Sequence, residues 1–250
     1  MARRTILVRR ALDGRGRAVA RAAFFDVDGT LIAGVGIFRF LRYYLAWSGH
    51  GPEVYERHLA RLRELRTAGA PREATNRAHY EVYKGVEAAA VAECSRRWFE
   101  AETAAIFNPA VLGAARTHRA RGEALVLVSG SFPALLAPIA ARVGAAHVLC
   151  TEPAVTAGVY TGALVDGPSQ PMIGEAKAAA MRRLASERDL DLAGSTAYGD
   201  HVSDLPMLRA AGSAVVVGDE LATAAREAGW RLLPGWAEPP PLPQSSSGSQ

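Results

Sequence analysis

Lysine is nearly missing from this chain. Of 29 basic residues only Lys84 and Lys177 are lysines, and the other 27 are arginines. Arginine serves wherever a positive charge suffices, so a lysine that persists is a candidate for a chemical role. Cysteine is equally scarce. Cys94 and Cys150 stand far apart with no metal-ligand spacing, which excludes a disulfide framework and a thiolate zinc site. They read as reduced core thiols of a cytoplasmic protein. Long apolar runs are absent too. None approaches the roughly 18 residues of a membrane span, and TILV near the start is too short for the apolar part of a signal peptide. Stable membrane insertion is therefore not expected.

The excess of positive charge is small. The net charge is +4 over 250 residues. The densest basic stretch, ARRTILVRRALDGRGRAVAR, holds seven arginines and one acid. We read residues 1–21 as a solvated, flexible segment and expect no nucleic-acid partner. With 49% hydrophobic residues the chain has enough apolar material for one domain carrying a large insertion.

The periodicity divides the chain. AAFFDV, from residue 22, is the short apolar run of a buried strand. Between 34 and 107 the pattern is helical and no convincing strand occurs. GIFRFLRYYLAW carries Ile37, Phe40, Leu41, Tyr44 and Leu45 on one face. PEVYERHLARLRELR starts with Pro52 at a first helical position. Two further helices are expected at about 71–84 and 87–106. From Asn108 the chain alternates again: an Asn-Pro helix start closed by Gly122, the strand ALVLVS, a helix, the strand HVLC, a hairpin over 154–166, the helix GEAKAAAMRRLASER, the strand STAYGD, and two more strands with helices between. Alternating units of this kind predict an α/β fold with a mostly parallel sheet. The domain reading is a core of 22–33 and 108–236, an inserted helical bundle of 34–107, and a disordered Pro- and Ser-rich tail of 237–250.

In an open parallel sheet, ligands bind beyond the carboxyl ends of the strands. The polar residues fall there. The first strand delivers Asp26 and Asp28, which point the same way because side chains at i and i+2 share a face. The second delivers Ser129, Gly130 and Ser131. A helix start brings Lys177. A later strand ends in Gly199 and Asp200, with Asp204 one helical turn on. Four carboxylates in one cleft repel one another strongly. A hard divalent cation relieves that, and Mg²⁺ takes a few carboxylates plus waters and a substrate phosphate. The ammonium and the Ser-Gly-Ser segment suit the remaining phosphate oxygens.

DVDGT, the strand-end serine, the lysine and GDHVSD, in that order, resemble the haloacid dehalogenase-like (HAD) hydrolase superfamily. The helical insertion straight after the first motif resembles its C1 cap, and the chain is most similar to the subfamily containing phosphoserine phosphatase. The resemblance covers about residues 22–33 and 108–233 and implies a Rossmann-like core. It implies that Asp26 is the nucleophile and forms an aspartyl-phosphate, and that Asp28 is the general acid and base. Asp26, Asp200 and the backbone carbonyl of Asp28 would hold Mg²⁺. Ser129, Gly130 and Lys177 would bind the phosphoryl group. Thr30 and Asp204 would support the site, Asp204 through water or by orienting Lys177. Dehalogenases need only the first aspartate, so Asp28 favours phosphoryl transfer.

The expectation is a Mg²⁺-dependent phosphomonoesterase for a small organic phosphate. The enzymatic alternative is a phosphomutase or phosphotransferase. A non-catalytic basic binding protein would be expected to have lost a catalytic group, and none is lost. Arg77, Tyr80 and His201 are the candidates for substrate specificity. For Arg77 and Tyr80 packing or surface roles compete; His201 could equally be an exposed loop residue. GIFRFLRYYLAW could lie on a membrane surface, although burial against neighbouring helices explains it better. One departure matters. Phosphoserine phosphatases carry a Glu shortly after the first motif, whereas LIAGVGIF has no acid there. Phosphoserine is therefore not the expected substrate. A sugar, polyol, amino-alcohol or lipid phosphate is. The oligomeric state stays open.

Overall fold

The computed structural model describes residues 11–12, 18–167 and 170–236. The expected tail of 237–250 and most of the basic N-terminal segment lie outside the described residues. Within that segment, β1 (Ala11–Leu12) and β2 (Ala18–Val19) pair as a small antiparallel ribbon, and Ala20 bridges to Leu190. Residues 18–21 are thus structured, where the sequence suggested a flexible lead.

β3 (Ala22–Phe25) opens the core. After it come α1 (Gly36–Trp47), α2 (Pro52–Thr67), α3 (Arg72–His79), a 3₁₀ turn (Tyr80–Tyr83) and α4 (Ala88–Ile106). The core resumes with α5 (Pro109–Ala120), β4 (Ala124–Ser129), α6 (Pro133–Val143) and β5 (His147–Cys150). A hairpin follows, β6 (Pro153–Thr156) and β7 (Val159–Leu164), then α7 (Glu175–Arg188) and β8 (Thr196–Gly199). A 3₁₀ turn (Val202–Asp204), α8 (Leu205–Ala210), β9 (Ser213–Val217), α9 (Ala222–Ala228) and β10 (Arg231–Leu233) complete it.

Six strands form one parallel sheet in the order β10-β9-β8-β3-β4-β5. The order runs outward both ways from β3, so the chain reverses direction across the sheet there, and such a point leaves a crevice at the strand ends. All four residues of β3 are buried, as a strand covered on both faces requires. Phe25 and Ala23 enter one hydrophobic cluster and Phe24 and Ala22 the other. Asn108 caps α5 by accepting from Ala110 and Val111, and Gly122 follows that helix at φ +76°, as the sequence led one to expect.

The helical insertion has no separate core. Phe40, Tyr44, Tyr80, Tyr83 and Trp98 share one cluster with Phe25, Leu127 and Tyr198 of the sheet. Phe132, at the start of α6, joins the two by touching the rings of Phe40, Tyr80 and Tyr83. The apolar face of α1 is buried here, with Ile37, Phe40, Leu41, Tyr44 and Leu45 all inside. That removes the membrane-surface reading of this helix. Among the described residues no helix is long and apolar enough to cross a membrane.

The structure departs from the sequence reading in two further places. The helix expected at 71–84 is α-helical only to His79 and tightens to 3₁₀ over Tyr80–Tyr83. The hairpin was legible, with Ala157 and Gly158 both at positive φ in its turn. Its attachment was not. Gly85 donates to the Tyr160 carbonyl, Tyr160 to that of Val86, and Ala88 to that of Gly158. The loop between Tyr83 and α4 is therefore paired to β7.

Candidate active site

Asp26 stands just beyond β3, and its N–H donates to the carbonyl of Tyr198 in β8 at 2.9 Å. That bond fixes the first carboxylate against the neighbouring strand. The chain then turns tightly. Gly29 adopts φ +84°, and Leu31 and Ile32 both donate to the Val27 carbonyl. The turn swings Asp28 toward the insertion, where its Oδ1 accepts the N–H of Gly36 at 2.6 Å, at the first residue of α1. Asp28 therefore faces the helices while Asp26 faces the sheet edge.

Lys177 answers the question its rarity raised. It lies in the first turn of α7, and its Nζ sits 2.5 Å from Asp26 Oδ1 and 2.7 Å from Asp204 Oδ1. Its side chain is only 4% exposed, so the ion pairs are nearly dry. The other oxygen of Asp204 accepts the N–H groups of Asp200 and His201. Thr30 donates to Asp200 Oδ1 at 2.8 Å. One oxygen each from Asp26, Asp200 and Asp204 lies within 4.8 Å of the others. The carboxylate of Asp28 is outside that trio.

Four carboxylates here face one ammonium, and the ionisation of each reflects it. Burial, opposed by Lys177 and aided by Asp204 and Asp200, holds the Asp26 carboxyl well above the ordinary range. Burial pushes Asp28 up to about 6 despite the Gly36 N–H and the cations of Lys177 and Arg72. Burial and then Asp204 lift Asp200 to about 6. Asp204 goes the other way. Burial opposes its charge, but Lys177 and two N–H donors outweigh it. Burial also disfavours the Lys177 ammonium, and Asp204 and Asp26 more than offset this. The site is short of positive charge. An all-oxygen donor set of this kind suits a hard divalent cation.

The segment after β4 supplies the other wall. Ser129 Oγ accepts the N–H of Ser131, and both serines are fully buried. The carbonyl of Gly130 is claimed by the insertion, accepting from Tyr80 at 2.8 Å and from Asn76 at 3.1 Å. Tyr80 thus reaches the site, as the sequence suggested it could. Arg77 does not. It is exposed and donates to the carbonyl of Gln170. His201 lies at the rim, bonded to Ser203 and facing Glu220, and Arg72 from α3 comes to within 2.5 Å of its ring. Arg72 and Asn76 were missed. With Tyr80 they form an i, i+4, i+8 stripe, but a polar stripe on a helix is ordinarily a solvated face. An open cleft of about 540 Å³ exists elsewhere, between α5 and the starts of β8–β10. None of the site carboxylates lines it.

The chain belongs to the HAD, haloacid dehalogenase-like hydrolase, family, whose profile matches residues 23–209. Among curated proteins it is similar to a probable phosphatase of Mycobacterium tuberculosis H37Rv, 38% identical over 118 residues, 46% of this chain and 40% of that one. It is also similar to the phosphoserine phosphatase SerB1 of the same strain, 30% identical over 221 residues, 84% of this chain and 70% of that one. The match to the first of these relatives spans well under half of its length. Among solved structures, a protein of unknown function from Bordetella pertussis Tohama I superposes with TM-score 0.76 at 24% identity, covering 86% of this chain and 98% of that one. A phospho-aspartyl intermediate analogue of phosphoserine phosphatase superposes with TM-score 0.61 at 18% identity, over 88% and 95%. These two likenesses speak for the fold.

Proposed function

We propose that the protein is a Mg²⁺-dependent phosphomonoesterase acting through an aspartyl-phosphate. The observation that carries this is the Asp26–Lys177–Asp204 triad beside Asp28 and Asp200, assembled from three separate segments at one sheet edge. Asp26 attacks phosphorus as the bond to the leaving oxygen breaks, and Asp28 gives that oxygen its proton. A carboxyl with a pKa of about 6 keeps a protonated fraction near neutrality, as an acid of this kind needs. In the second half Asp28 takes a proton from water, the water oxygen attacks phosphorus, and Asp26 is regenerated with release of inorganic phosphate. Lys177 and the Ser129–Ser131 segment hold the phosphoryl oxygens and meet the charge that builds on them. Asp26 and Asp200, with the Asp28 carbonyl, would hold Mg²⁺, which supplies positive charge to the same oxygens when bound. Asp204 has both oxygens engaged and serves by orienting Lys177.

The segment from Ala33 to Phe38 brings no acid to α1's first turn, so we expect phosphoserine to be a poorer substrate than uncharged phosphomonoesters. Equal kcat/KM for the two would remove that expectation. The buried thiols, whose pKa burial lifts to about 12, are inert and suit a cytoplasmic enzyme. The test of the reading is phosphate release from a panel of phosphomonoesters, with Mg²⁺ or with EDTA, by the wild type and by Asp26→Asn. Release by the wild type with Mg²⁺ alone, and none by the variant, supports it. No release from even an activated aryl phosphate sinks it.

A further inference from the structure

One face of α3 crosses the mouth of the site. Arg72 meets His201, and Glu73 reaches over Gly174, where an added Cβ would lie 3.5 Å from its Oε1. Asn76 and Tyr80 both contact the Gly130 carbonyl. Asn76 is the informative member. A carbonyl only accepts, so the amide must present Nδ2 to Gly130. Oδ1 is then fixed as an acceptor. It is buried and has no hydrogen-bond partner among the described residues. So is the hydroxyl of Ser131, the residue after Gly130.

A buried acceptor left unpaired costs about 1–3 kcal/mol, and folded proteins keep few of them. Its position suggests its use. Tyr80 bonds the same carbonyl as Asn76, and Gly130 directly follows Ser129 in the loop that walls the site. Asn76 therefore stands on the α3 side of that loop. On the phosphomonoesterase reading, on which this inference rests, the leaving alcohol lies between Asp28 and α3.

We infer that Asn76 Oδ1 accepts a hydrogen bond from a hydroxyl or amine on the leaving alcohol. Asn76 is then a specificity residue, and the substrate is the phosphate of a polyol, sugar or amino alcohol rather than of a plain hydrocarbon alcohol. A site that pairs a buried acceptor with a substrate donor discriminates against the analogue lacking the donor, because the acceptor is then stranded.

The experiment compares kcat/KM for glycerol 1-phosphate and n-propyl phosphate, which have the same three carbons. The wild type should favour the first by about tenfold or more. Asn76→Leu should bring the ratio to about one, with Asn76→Ala as the alternative if leucine disturbs α3. Both changes also release Gly130 from one donor. Tyr80→Phe does that without touching the acceptor, so it should slow both esters alike and keep the ratio. A wild-type ratio near one overturns the inference. So does a ratio that survives in Asn76→Leu, or one that Tyr80→Phe abolishes equally. p-Nitrophenyl phosphate separates the two levels. If the wild type cleaves it without discriminating between the alkyl esters, only the role of Asn76 fails. If it cleaves nothing, the phosphomonoesterase reading fails with it.

Discussion

Gly29 and Asp200 are packed so closely that a Cβ on the glycine would fall 2.2 Å from Asp200 Oδ2. Gly29 also sits at φ +84°, where an L side chain is strained. Gly29→Ala should cost about 1–2 kcal/mol in backbone strain alone. It should also displace Asp200 from Asp26 and Asp204. The expected outcome is a raised Mg²⁺ requirement, read from activity against metal concentration. An unchanged metal dependence would mean that Asp200 is not a ligand.

Lys177 should resist replacement by the residue this chain otherwise prefers. Its ammonium bridges Asp26 and Asp204 at 2.5 and 2.7 Å in a dry pocket. A guanidinium is larger, planar and cannot take that point-like position. Both Lys177→Arg and Lys177→Met should lower kcat by about a hundredfold to a thousandfold. Substantial activity in Lys177→Arg would show that charge alone matters there.

Asp204 is buried at 1% exposure and accepts from Lys177, Asp200 and His201. Asp204→Ala strands the N–H groups of Asp200 and His201 and leaves Lys177 only Asp26. The loss of one partner of a buried pair costs about 3–5 kcal/mol, so denaturant unfolding should show a marked drop. A loss no larger than that of a surface substitution would contradict the observed hydrogen bonding.

The metal-free protein should become less stable as pH rises. Asp28 and Asp200 have folded-state pKa values of about 6, against about 3.9 when unfolded. The native state then binds more protons than the unfolded chain between those values. The stabilisation from these two groups is fully present below about pH 4 and is lost as pH rises to about 6, by about 1.4 kcal/mol per pH unit for each such proton. Thermal unfolding in EDTA should show that decline. Added Mg²⁺ should raise the midpoint more near pH 7 than near pH 5. The same shift at both values would count against the carboxylates as its site.

The carboxylates and the lysine were legible because each follows a strand end or opens a helix, and those positions converge by topology. Neighbouring placements set by tertiary packing were not legible. Asp26 and Asp28 share a face in an extended segment, yet the turn at Gly29 sends Asp28 to α1 and leaves Asp204 in the acidic trio. Tyr80 and Arg77 looked alike in the sequence. The tightening of the backbone at Tyr80 aims one at Gly130, while the other runs out over Gln170. Asn76 gave no signal, because its role depends on which loop α3 happens to cross.

The pairing of β7 with the 85–88 loop has a mechanical consequence. The insertion leaves and rejoins the core at neighbouring points, where Ala33 donates to Ile106 and Asn108 to Leu31. Two adjacent ties alone would make a door on one hinge. The third tie, at Tyr160 and Gly158, lies off that line and pins the panel. Among the described residues α2 and α3 make no backbone hydrogen bond to the core, so their corner is what is left to yield. Any widening of the cleft beside the insertion therefore falls to one corner of it rather than to a swing of the whole.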